Sequence, residues 1–273
     1  ILDEENQAQW DFTKAKWSVD GVQSEAYVGI GCEAFPFKGT LNTYVNGMVC
    51  TINKPMCNYV STGATIEGFN FSSVNASAAI AQYLVTEDNS TKQAVTLKNI
   101  VVGGTIGSDS TQVAGGLFAY VENKTSSLIK LELGENSDAT TYSVKMAATV
   151  KGVNAGGVIG VVNAEDTSTG IVEIVCKMST VAGTVTGKRS AAGGIVGKIG
   201  QNVTFTMDSA SFSATVNGNG NNGGVIGLLD KATFIVNKDK NLVVTVNVKS
   251  ENALSSGGLI GRANDATKIL VEN

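Results

Sequence analysis

Five times in this chain a Gly-Gly pair is followed by two apolar residues, and that recurrence restricts the fold more than any other feature. The copies read Gly115-Gly116-Leu117-Phe118-Ala119, Gly156-Gly157-Val158-Ile159-Gly160, Gly193-Gly194-Ile195-Val196-Gly197, Gly223-Gly224-Val225-Ile226-Gly227 and Gly257-Gly258-Leu259-Ile260-Gly261. Their first glycines lie 41, 37, 30 and 34 residues apart, inside the period of roughly 20–50 residues that marks solenoids and arrays. In an array each unit touches only its neighbours, so one elongated domain can absorb the whole 273-residue length.

Each regular unit divides into three short strands. The first precedes the glycine pair: Gly104-Thr105-Ile106-Gly107, Ala148-Thr149-Val150-Lys151, Gly183-Thr184-Val185-Thr186, Ala214-Thr215-Val216-Asn217 and Val244-Thr245-Val246-Asn247. The second is the Gly-Gly-apolar-apolar strand itself. The third varies: Leu128 to Leu133, Ile171 to Met178, Val203 to Met207, Thr233 to Val236 and Thr267 to Val271. Such strands cannot bury a face alone, but stacked units share a continuous core and pair their strands in parallel. Alternation then points Ala148 and Val150 inward and the threonine column at 105, 149, 184, 215 and 245 outward. The glycine pair is read as a corner that needs positive φ or a close approach between units. One conflict follows: in a fully extended Gly-Gly-Val-Ile-Gly both apolar residues cannot face the core.

Composition agrees. Glycine supplies 32 residues and charged residues only 16%, against about 25% charged in typical soluble domains, which suits tight corners and half-buried strands. Helices are expected to be scarce, with Ser73 to Leu84 the one candidate, capped by Asn75 or Ser77. Residues 1–26, polar and bearing Trp10 and Trp17, are expected to form an N-terminal cap or tether, and 27 to about 100 degenerate first turns. The last strand ends at Asn273 with no closing element, which predicts further repeats in the parent chain. The fold expected is all-β, a parallel β-solenoid (β-helix) of about 35-residue repeats, right-handed by the usual rule for parallel crossovers.

The Gly-Gly-(Leu/Val/Ile)-(Ile/Val)-Gly motif resembles the GLUG repeat of bacterial surface and adhesin-like proteins, also found beside IgA-specific metalloproteases. Pro36-Phe37-Lys38-Gly39-Thr40-Leu41 looks like the entry segment of such arrays, and Gly63-Ala64-Thr65-Ile66-Glu67-Gly68-Phe69 and Thr96-Leu97-Lys98-Asn99-Ile100 look like their preceding strand. The likeness covers residues 27–273. It departs at Asn42-Thr43-Tyr44-Val45-Asn46-Gly47, where the family has an Asp-Gly-Asn-Gly turn, and at Ala119, where a closing glycine belongs. The resemblance implies a secreted or cell-surface repeat protein.

Chemistry is sparse. The absence of histidine excludes Ser-His-Asp and Cys-His catalysis, histidine-ligated metals and the His-Glu-x-x-His helix. A polysaccharide-processing β-helix needs paired carboxylates, and the adjacent acids, Asp3-Glu4-Glu5, Glu87-Asp88 and Glu165-Asp166, fall at the terminus or among turn formers. Asn217 to Asn222, with Asp230 nearest in sequence among the acids, is a weak calcium candidate. Cys176 reads as a core thiol, whereas Cys50 can pair with Cys57 or Cys32 or stay reduced. Sequons occur at Asn70, Asn75, Asn89, Asn123 and Asn202. With Arg189 and Arg262 the only arginines and a net charge of −4, no basic stripe exists for nucleic acid, and no apolar run is long enough to span a bilayer as a helix.

No catalytic, cofactor or metal residue is therefore assigned, and no enzyme activity is expected. The expected role is a non-catalytic stalk or adhesion module at the cell surface or outside the cell, taking a host glycan or matrix protein as partner. Contact would lie on an exposed strand face or on the corners Asn123 to Ser127 and Glu165 to Gly170. A filament or lattice subunit is one alternative, and a polysaccharide-processing β-helix enzyme is a further one.

Overall fold

The computed structural model describes residues 37–41, 49–52, 59–66, 70–71, 76–78, 81–86, 93–97, 100–126, 128–134, 144–164, 170–177, 180–208, 211–237, 243–250, 252–264 and 267–272. They are all-β: the strands pair in parallel in three sheets, and no helix occurs among them. No described helix is thus long and apolar enough to cross a membrane. The expected N-terminal cap, residues 1–26, lies outside the described residues, as do Cys32 and Cys57.

Each strand bonds to its counterpart one repeat away, an arrangement that fits a β-solenoid. In what we name the glycine sheet, Phe118, Ile159, Val196, Ile226 and Ile260 are successive partners. In the variable sheet, Leu131, Ile174, Phe205, Phe234 and Ile269 follow one another. The threonine sheet joins Thr105, Thr149, Thr184 and Thr215 in one row. Strand Thr180–Gly193 pairs with a variable-sheet strand at one end and threonine-sheet strands beyond, so a single run of chain turns the corner between the two sheets.

Alternation sets the core. Val172, Ile174 and Cys176 are fully buried while Glu173 and Val175 between them are not. Ala148 and Val150 are buried and Thr149 is half-exposed, as the alternating pattern predicts. The core is thereby continuous along the stack, from Leu84 through Leu131 and Val150 to Phe234. Phe205 and Phe234, both buried, stack with ring centroids 6.0 Å apart at 27°. Each such buried side chain contributes roughly 1.5–3 kcal/mol.

The glycine motif resolves the conflict in its own sequence. The chain bends at the second glycine and first apolar residue, as at Gly157-Val158, instead of running extended. Both apolar residues then reach the core: Val158, Ile159, Ile195, Val196, Val225 and Ile226 are all fully buried. At each bend one carbonyl receives two amides. Val158 O accepts from Leu117 N at 2.7 Å and Phe118 N at 3.2 Å, and Ile195 O accepts from Val158 N and Ile159 N at 2.9 and 3.0 Å. Positive φ plays no part here, because among the described glycines only Gly104, Gly107 and Gly134 have it. The requirement is space. A Cβ on Gly157 would strike the carbonyl oxygen of Gly194, and one on Gly156 would sit 2.6 Å from the amide nitrogen of Gly197.

Two expectations are corrected. Ser73 to Leu84 is not a helix: Ala76–Ala78 and Ala81–Thr86 are strands, with Ala78 beside Gly115 and Ala81 beside Phe118. The two strands occupy the places of those flanking the glycine motif one repeat on, and tertiary pairing overrides the weak helical preference of an Ala-rich run. Thr245, assigned to the threonine column, pairs instead with Ser213, and Asn247 takes the place beside Thr215. A two-residue shift leaves every side chain on the same face, so alternation alone cannot detect it.

Candidate functional site

The outward surface of the threonine sheet carries an open trough of about 460 Å³. Two outward rows form its walls. Thr149, Thr184, Thr215 and Asn247 stand side by side in successive repeats, and Ser213 with Thr245 stands in the row two residues earlier. Rows two residues apart on a strand are separated by about 7 Å, and adjacent strands by about 4.8 Å. Between the walls run Gly183, Ala214 and Val246, also paired in register. A Cβ on Gly183 would come 2.8 Å from the carbonyl oxygen of Ala148, so the strands pack closely beneath this floor.

The lining combines hydroxyls and one amide with the small apolar residues Ala147, Ala214 and Val246, and it holds no ionisable or aromatic side chain. Thr149, Thr184 and Thr215 are half-buried, whereas Thr245 and Asn247 are exposed. The next outward row carries charge only at its ends, as Lys151, Thr186, Asn217 and Lys249. The arrangement can hydrogen-bond a neutral partner; it offers no general acid, base or nucleophile of shifted reactivity.

The other sequence candidates are placed as follows. Asn123 and Thr125 are buried and locked together: Asn123 Nδ2 donates to Ile171 O at 3.0 Å, and its Oδ1 accepts from Thr125 N at 2.9 Å and Thr125 Oγ1 at 2.8 Å. The sequon there is an internal latch between neighbouring repeats rather than an open surface. Residues 165–169 of the second corner and the acid pairs Asp3-Glu4-Glu5, Glu87-Asp88 and Glu165-Asp166 lie outside the described residues. Of the calcium candidate, Asn221 and Asn222 are buried and turn their amides to Ser190 O and Gly218 O, at 3.2 and 2.8 Å. No group of three or more Cys, Asp or Glu side chains able to hold a metal occurs among the described residues. Cys176 is fully buried, as expected of a core position; the strand of Cys50 is described but its side chain is not.

Sequence reasoning pointed to an exposed strand face without locating the trough. The signal was present in the recurring Thr at 149, 184 and 215, but the second wall depends on the register that places Thr245 next to Ser213. Scans against protein-family models, curated proteins and solved structures each returned no match.

Proposed function

We propose that the chain is a right-handed parallel β-solenoid of about 35-residue repeats, capped by residues 1–26, acting as a non-catalytic stalk or adhesion module of a larger secreted or cell-surface protein. The observation that carries this reading is the bend motif: successive glycine pairs interlock backbone to backbone, each amide of the second glycine donating to the first glycine of the next repeat. Gly116 N to Gly156 O, Gly157 N to Gly193 O, Gly194 N to Gly223 O and Gly224 N to Gly257 O span only 3.1–3.2 Å. Such a column makes a stiff rod whose outward rows can vary without disturbing the core. The likeness of the motif to GLUG repeats supports a surface location, and a host glycan or matrix protein is the partner class proposed. The test is a glycan-array and matrix-protein binding screen on the purified chain, beside light scattering on a sizing column. Saturable binding by a monomer supports adhesion; a clean negative reduces the role to a bare stalk.

A further inference from the structure

We propose that the trough between Thr149-Thr184-Thr215-Asn247 and Ser213-Thr245 binds an uncharged oligosaccharide chain lying along the stacking axis. The proposal rests on the adhesion reading and deepens it by naming the site and the ligand class. Three features converge. The volume, about 460 Å³, falls within the roughly 300–1,000 Å³ of small-ligand sites. One wall sets three threonine hydroxyls and the Asn247 amide at steps of about 4.8 Å over four repeats, about 14 Å in all, and the other adds the Ser213 and Thr245 hydroxyls over two, which suits a polymer with its own repeating hydroxyls. A hydroxyl both donates and accepts, so each wall position can answer a sugar hydroxyl in either sense.

The lining also discriminates. No charged side chain stands between the walls; the nearest cations of this face, Lys151 and Lys249, lie at the ends of the next outward row, so an acidic glycan would be drawn to that row rather than held between the walls. An extended peptide is disfavoured for a different reason. Peptides commonly join sheets by adding a strand to a free edge, whereas the floor residues Gly183 and Ala214 are interior to the sheet, with paired strands on both sides. Recognition must then come from side chains, and those present match a polyol. Without an aromatic platform each sugar contributes little, so affinity must accumulate along the chain.

The experiment titrates the full chain with a length series of neutral β-linked glucose oligosaccharides, disaccharide to hexasaccharide, and with an oligogalacturonate of matching length. The partner to the parent protein is the double variant Thr184→Val, Thr215→Val, which removes two hydroxyls and keeps β-branched shape on the solvent side. We expect affinity to rise with length, to be insensitive to salt, and to fall about tenfold in the double variant at unchanged melting temperature, the scale of one or two lost hydrogen bonds. Binding that the double variant leaves intact overturns the proposal. So does preference for oligogalacturonate with steep salt dependence, which would assign binding to Lys151 and Lys249. Failure of every glucan while the chain still binds a matrix protein in the broader screen overturns the trough alone; failure of both overturns the adhesion reading with it.

Discussion

Asn222 donates its side-chain amide to the carbonyl of Gly218 across 2.8 Å, yet its own side-chain oxygen is buried with no partner. The position belongs to an inward column: Ala114, Ala155 and Ala192 occupy it in the three preceding repeats, all fully buried. An asparagine has been placed where the corner is built for a methyl group, and its neighbour Gly218 has no room to spare, since a Cβ there would meet the Asn222 side chain.

Asn222→Ala is therefore expected to be neutral to stabilising. An unsatisfied buried acceptor costs about 1–3 kcal/mol, and its removal outweighs the lost bond because Gly218 O keeps the Ser250 hydroxyl at 2.6 Å. In thermal unfolding this corresponds to a melting temperature equal to or a few degrees above that of the parent. Asn222→Asp should fall well below the parent, since it buries a carboxylate in the same place. A melting temperature for Asn222→Ala several degrees below the parent would show that the amide, not the alanine column, holds this corner.

Two glycines at the same motif position should respond with opposite cost. A methyl on Gly157 would collide with the Gly194 backbone carbonyl, and two backbones held by ladder hydrogen bonds cannot part cheaply, whereas Gly258 has nothing within 4 Å of the corresponding point. Gly157→Ala is expected to cost about 3 kcal/mol, at the upper end of overpacking effects, and to lower the melting temperature by about 10 °C. Gly258→Ala should stay within about 1 kcal/mol of the parent, the range of a glycine replaced without strain. Equal losses for the two in denaturant titration would mean that the glycines serve conformation rather than clearance.

That contrast also explains what could be read from the chain before its structure. Period and alternation set the parallel stacking, the buried row Val150-Val185-Val216 and the half-exposed threonines beside it, because both signals survive in one sequence as counts along the chain. Register does not survive in the same way. Thr245 sits two residues from the expected partner, and a shift of two preserves every face, so the trough wall it forms was invisible. Ala78 stands beside Gly115, and an alanine at that place carries none of the glycine signature that marks the later repeats.

Cys176 supplies a probe of the core. It is fully buried between Leu133 and Met207, its partners in the neighbouring repeats, so an alkylating reagent can reach it only when that layer opens. Peptide-resolved labelling should show Cys176 modified at the rate of unfolding, independent of reagent concentration once reagent is in excess. Rapid labelling under native conditions, growing with reagent, would place this layer among the parts that fray.

The Asn123 latch makes the last prediction. Its side chain satisfies Ile171 O in the next repeat and both Thr125 donors in its own, and it is fully buried at a point where Gly170 runs so close that a Cβ would strike Thr125 O. Asn123→Ala removes all three bonds and leaves Thr125 N and Ile171 O without those partners in a site that has little space for water. The expected loss is about 2–3 kcal/mol, combining the orphaned groups with the missing bonds. Thr125→Val tests the apportioning: it removes one bond to Asn123 Oδ1 and keeps the backbone one, so its cost should be about half or less. Chemical denaturation of both variants checks this. A cost for Asn123→Ala within a few tenths of a kcal/mol, typical of an exposed surface site, would show that the repeats are joined here by their ladders alone.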